Sequence, residues 1–152
     1  MIKSKIFRDQ KSISHYFFNR LGGTSKGIYK SLNCGKGSKD KIANINKNLK
    51  IVSKKIGCTS ENLVSLNQIH SNKVYKISGI PKKRLTGDAM ITNKQNIAIS
   101  ILTADCAPIL IIEKKQKFVG AIHAGWKGAF KGIVKKTCLL YTSDAADEAE
   151  CG

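Results

Sequence analysis

Between residues 40 and 56 the apolar side chains recur at Ile42, Ile45, Leu49, Val52 and Ile56, with lysine and asparagine between them. A repeat of three to four residues places one apolar stripe on a helix. Ser38 or Asp40 is expected to cap the start of that helix, and Gly57 to end it. After Gly57 the pattern changes to short apolar runs. Residues 62–69, 73–77, 89–92, 96–102, 108–112 and 118–122 each read as a strand. Residues 14–19 (SHYFFN) read as an earlier strand, followed by a glycine-rich loop over 21–30. Residues 125–136 read as a second helix. Strands outnumber helices, and several are close enough in sequence to pair as hairpins. The expected class is therefore α/β, a layered sandwich with mixed sheets and flanking helices.

Composition narrows this picture. The chain has 152 residues, 41% of them hydrophobic, enough for one domain with a real core. No apolar run approaches the ~18 residues of a membrane span, and the first ten residues lack the apolar region of a signal peptide. A cytoplasmic location is expected. The formal charge of +17 raises the question of nucleic acid. Only Arg8, Arg20 and Arg84 are arginines, however, and the lysines are spread along the chain rather than blocked. Lysine lacks the planar fork that reads bases and phosphates bidentately, so no specific nucleic-acid partner is expected. A lysine-rich binding module is the non-enzymatic alternative. The five cysteines, Cys34, Cys58, Cys106, Cys138 and Cys151, are odd in number and form no CxxC pair, which argues for free thiols.

The last fifteen residues differ from the rest. Residues 138–152 carry four of the ten acids and none of the 27 bases. CLLYTSDAADE also resembles the in-frame translation of a transposase sequencing adaptor. Residues 1–137 are accordingly expected to be the N-terminal part of a single domain, and 138–152 a foreign tail.

Candidate chemistry centres on the histidines. Of His15, His70 and His123, the last two follow apolar runs, in NQIH and GAIH. Cys106 lies just beyond a third run, in SILTADC. Strand ends gather at one edge of a sheet, so these three can meet there. Two imidazoles and a thiolate make a zinc set that leaves a fourth tetrahedral position for water or substrate. Two alternatives stay open: a metal-free Cys106–His123 nucleophile and base in a hydrolase such as an amidase or deamidase, and a copper site with Met90 as axial ligand. Asp88, in TGDAM, is a candidate general base. Asp105 is a candidate orienting partner. Arg20, Gly22, Gly23 and Ser25 have the composition of an anion-binding loop, through backbone amides and the guanidinium.

In order along the chain, FFNRLGGTSKGIYKSLN, LNQIHSNKV, TGDAMIT, TADCAPILI and AIHAGWKGAFKGIV resemble the motifs of the laccase-like polyphenol oxidase family, better described as purine nucleoside phosphorylases of the YfiH type. The resemblance covers most of residues 15–134. It implies an α/β sandwich with zinc on His70, Cys106 and His123, and phosphorolysis of adenosine to adenine and ribose 1-phosphate. Adenosine deaminase and methylthioadenosine phosphorylase activities are implied as well, while an older family name implies copper. Asp88, Cys106 and His123 are then the expected catalytic residues. Arg20, Gly22, Gly23, Ser25, Gln68 and Lys127 are expected to bind nucleoside and phosphate. Two positions depart from the motifs: Ser71 stands where the family has Gly, and Lys127 where it has Arg. Family members also continue well past the HAGW helix, so the fold is expected to be incomplete at its C-terminus.

Overall fold

The computed structural model describes residues 2–7, 12–113 and 118–147, with side chains as far as 140. The chain divides into two compact units, Met1–Leu63 and Val64–Gly152.

The N-terminal unit is built on helix α1 (Ile42–Ile56). Its stripe buries Ile45 and Val52, but the position between them is Asn48, which is fully buried. The Asn48 amide donates to Ser25 Oγ (2.9 Å), Asn33 O (2.8 Å) and Ser31 O (3.1 Å), and its oxygen accepts the Thr24 N–H (2.8 Å). The apolar repeat thus has a polar centre, which folds the preceding loop onto the helix. Neither Ser38 nor Asp40 caps α1 as expected. The N-cap is Lys41, with no side-chain bond, while Asp40 accepts the Lys41 N–H at 2.7 Å. Gly57 ends the helix as expected, at φ +92°, a left-handed conformation that glycine adopts without strain. Residues 14–19 do not form the expected strand. Phe17 makes one antiparallel bridge with Ile2, and the neighbouring rings pack on one another, Tyr16 against Phe18 at 5.7 Å between centroids. The glycine-rich loop contains a short 3-10 turn, Gly27–Tyr29.

The C-terminal unit holds the strands β1 (Leu63–Ser65), β2 (Val74–Lys76), β3 (Ala89–Thr92), β4 (Ala98–Ser100), β5 (Ala107–Ile112) and β6 (Val119–Ala124). β1 and β4 form a two-stranded sheet, and the other four run in the order β2-β3-β6-β5. β2 and β3 are parallel; β3 with β6, and β6 with β5, are antiparallel. The sheet is mixed, as expected. Period-two alternation splits its side chains between two cores. Met90 packs with Val64, Leu66 and Ile77, against Ile97, Ile99 and Ile101. Ala89 and Ile122 pack instead with Ile133 and Val134. Those last two residues begin helix α3 (Ile133–Asp147), so the four-stranded sheet lies between a two-stranded sheet and a helix. The expected single helix over 125–136 is two. Helix α2 (Trp126–Phe130) stops, Gly132 takes φ +71°, and α3 starts at Ile133. Among the described residues, no helix is long and apolar enough to cross a membrane.

Candidate metal centre

Strand register brings four segments to one end of the four-stranded sheet. β3 and β6 pair Ala89 with Ile122, which places Asp88, one residue before β3, beside the end of β6. β5 and β6 pair Ala107 with Ala124, so Cys106 lies at the same end. β2 starts level with β3, Val74 opposite Ala89, and the turn carrying His70 leads into it. His123 is itself in β6 and buried.

One ligand atom each from His70, Cys106 and His123 lies within 4.8 Å of the others. The two imidazoles meet edge to face, 4.8 Å between centroids. Gly125 closes one side of the group. A Cβ there would stand 2.7 Å from His70 Nδ1 and 3.3 Å from Cys106 Sγ. The chain can pass this close to both side chains only without one of its own. Gly128, in α2, similarly lies against the backbone of Ser71, where a Cβ would meet the carbonyl oxygen at 2.7 Å.

Asp88 organises the centre. It is fully buried, and its Oδ1 accepts from His123 Nδ1 at 2.8 Å and from the His70 N–H at 3.0 Å. Its Oδ2 accepts from the backbone of Ser71 (2.7 Å), from Ser71 Oγ (2.7 Å) and from the Ile69 N–H (3.3 Å). Three successive amides therefore grip one carboxylate. That grip offsets the cost of His70, whose φ of +59° is left-handed and disfavoured by about 1–2 kcal/mol for a residue with a Cβ. Burial alone would raise the Asp88 carboxyl. The bonds from His123, Ser71 and His70 outweigh it and hold the group below the ordinary carboxylate value. An ionised Asp88 places the His123 proton on Nδ1 and leaves the Nε2 lone pair for a ligand bond, the usual arrangement behind a metal-bound histidine.

Asp88 thus has the orienting position expected of Asp105, which is exposed. As the expected general base, Asp88 is enclosed, with both of its oxygens engaged. Gln68, expected to bind substrate, uses both ends of its amide on Leu102: it donates to the carbonyl at 2.7 Å and accepts the N–H at 2.8 Å. Lys127 is exposed on α2, its Nζ 5.3 Å from the centre of the Trp126 ring.

In the N-terminal unit the expected anion loop turns its amides inward. The Gly23 N–H donates to Ser31 Oγ (3.1 Å) and the Ser25 N–H to Ser31 O (2.9 Å). Ser25 is buried. A Cβ on Gly23 would fall 2.1 Å from Ser31 O, so glycine is required there by a crossing of the chain on itself. Gly22 sits at φ +87° in the same turn. Arg20 is exposed and gives its Nε–H to Lys30 O at 2.8 Å.

The motif letters do not reveal the grip of Asp88, the latch of Gln68 or the close approach of Gly125. The glycine in HAGW was the one available signal.

Residues 14–151 match the family model described as multi-copper polyphenol oxidoreductase laccase. A purine nucleoside phosphorylase of Bacteroides thetaiotaomicron is 35% identical over 148 residues, 91% of this chain and 55% of its own length. The purine nucleoside phosphorylase YfiH of Escherichia coli is 32% identical, over 88% of this chain and 55% of its own. Among solved structures, Neisseria meningitidis protein NMB0706 superposes with a TM-score of 0.74 at 33% identity, over 80% of this chain and 49% of its own. YlmD from Geobacillus stearothermophilus gives 0.76 at 25% identity, over 84% and 50%. The chain spans about half the length of the curated relatives it matches. The chain belongs to the multi-copper polyphenol oxidoreductase laccase family.

Proposed function

We propose that this centre holds zinc and serves a purine nucleoside phosphorylase that converts adenosine and phosphate to adenine and ribose 1-phosphate. The observation that carries the reading is the convergence of two imidazoles and one thiol within 4.8 Å, on a frame made by other residues. The substrate class comes from the relatives in Bacteroides thetaiotaomicron and Escherichia coli, both purine nucleoside phosphorylases.

One sulfur and two imidazole nitrogens suit zinc, and three protein ligands leave a tetrahedral position open. An electron-transfer copper site adds a weak axial ligand. Met90, the candidate for that place, instead packs among Val64, Leu66 and Ile77. When bound, zinc acts as a Lewis acid on an oxygen atom of the reactants.

In phosphorolysis the bond from the anomeric carbon to the purine nitrogen breaks. A phosphate oxygen bonds to that carbon, and the purine leaves carrying a proton. Asp88 contributes by fixing the tautomer of His123 and the backbone of His70. Lys127, exposed on α2, offers positive charge to an anion. Arg20, in the N-terminal unit, keeps its expectation as an anion contact through the guanidinium alone, the loop amides around it being engaged elsewhere. The mixed imidazole and thiolate set, of the kind found in zinc deaminases, favours adenosine deamination as a second activity. Methylthioadenosine is proposed as a further substrate on the same grounds of family.

The test is incubation of the zinc-loaded protein, extended to the full length of its relatives, with adenosine and phosphate; the 152-residue chain spans about half that length and is expected to be less active or inactive. Adenine and ribose 1-phosphate are expected in equal amounts, dependent on phosphate and lost in Cys106→Ala. A chelator is expected to suppress deamination, which a metal-free Cys106–His123 pair would survive. Neither adenine nor inosine from folded, zinc-loaded protein of full length would overturn the nucleoside reading.

A further inference from the structure

Two side chains that are not ligands cross-link the three segments that are. Asp88 joins the His70 turn to His123 through Oδ1, which accepts from both. The remaining segment is residues 101–106, which leaves β4 at Ser100 and reaches Cys106 without regular structure before β5 begins at Ala107. Its far end is fixed by the ladder, Ala107 opposite Ala124. Its near end is fixed by Gln68, two residues before His70, whose amide pairs in both directions with the Leu102 backbone.

A two-way amide–backbone pair fixes both distance and rotation, as a rung of a sheet does. A single hydrogen bond would leave the segment free to turn. Residues 101–106 contain neither helix nor strand to hold the Cys106 thiol at its spacing from His70. Ordering such a segment costs about 1–2 kcal/mol per residue in backbone entropy. If the latch meets that cost during folding, metal capture does not have to.

We infer that Gln68 is a positioning residue for the metal centre: its latch on Leu102 holds Cys106 at ligating distance from His70 before any metal arrives. The inference rests on the metal reading above. It removes Gln68 from the substrate-binding set and gives it a role through Cys106.

The test compares the 152-residue chain with Gln68→Met, Gln68→Glu and Ser100→Ala. Gln68→Met keeps the length and removes both bonds. Gln68→Glu keeps an acceptor for the Leu102 N–H and loses the donor. Ser100→Ala removes a comparable side-chain bond, Ser100 Oγ to Val64 O at 3.1 Å, from the same unit. Zinc affinity is read by competition with a chromophoric chelator, using zinc ion alone. The alkylation rate of Cys106 in metal-free protein is read by peptide mass spectrometry.

Gln68→Met is expected to weaken zinc binding about 10- to 100-fold, the range for outer partners of metal ligands, and to speed alkylation of Cys106. Gln68→Glu is expected to fall between, and Ser100→Ala to match the unmodified chain in both. Unchanged affinity and alkylation in Gln68→Met would overturn the inference. So would an equal loss in Ser100→Ala, which would mark a general effect on stability. If the unmodified chain takes up no zinc, the metal reading fails first. The alkylation rates then still report whether Gln68 orders the Cys106 segment.

Discussion

Asp88 accepts five hydrogen bonds through two oxygens, and two of the donors belong to His70 and His123 of the candidate metal centre. An asparagine has only one acceptor oxygen. Whichever way its amide turns, its NH2 group must face at least two of the donors that the carboxylate satisfied. Asp88→Asn is therefore expected to lower the stability of the metal-free chain by about 3 kcal/mol, the cost of breaking a buried, paired carboxylate. Urea unfolding measures it, and a loss under about 1 kcal/mol would show that the carboxylate is not the keystone. At this scale the sequence was half legible. Two histidines and a cysteine beside apolar runs stood out because there are only three histidines to choose from. The division of labour between Asp88 and Asp105 did not. It depends on which carboxylate reaches a buried turn, and both aspartates sit beside apolar runs. The pairing of the Gln68 amide with the Leu102 backbone has no mark in sequence either, because an amide near a ligand reads the same whether it latches a segment or binds a substrate.

Among the elements, the apolar runs at 73–77, 89–92 and 108–112 became β2, β3 and β5, with Tyr75 and Met90 in one core and Val74, Ala89, Ile109 and Ile111 in the other. Residues 14–19 have similar composition but find their packing in ring contacts, with His15 edge-on to Phe7 at 5.1 Å, and the ladder does not extend beyond one bridge among the described residues. The break between α2 and α3 was written in Gly132, one of several glycines in a run that otherwise reads as helical. The tail raises a different issue. Helix α3 runs through Thr137, which is buried, to Asp147, and the family match runs to residue 151. The shift to an acidic composition after residue 137 still motivates the proposal that the tail is foreign to the fold. The described burial on α3 includes Ile133 and Thr137, while Leu139 is exposed. Deleting residues 138–152 is expected to lower Tm by less than about 4 °C, which for a domain of this size is on the order of 1 kcal/mol. A drop several times larger in a thermal scan would show that the tail packs as part of the fold.

For the molecule as a whole, the fold acts as a device for bringing loop ends together. A mixed sheet with antiparallel β5 and β6 puts the start of one strand beside the end of the other, and the parallel β2–β3 pair adds two more starts at the same level. Segments 36 and 17 residues apart in sequence thereby supply His70, Cys106 and His123 to one point. The convergence was legible from the strand pattern; the order of the strands was not, because apolar runs do not specify their neighbours. The proposed zinc site takes one sulfur and two imidazole ligands from this chain. X-ray absorption spectroscopy at the zinc edge of the purified, zinc-loaded chain reads that shell directly. One sulfur at about 2.3 Å and two histidine nitrogens at about 2.0–2.1 Å are expected, with the sulfur lost in Cys106→Ala. A shell of oxygen and nitrogen alone in the unmodified chain, or a sulfur signal that persists in Cys106→Ala, would contradict the account.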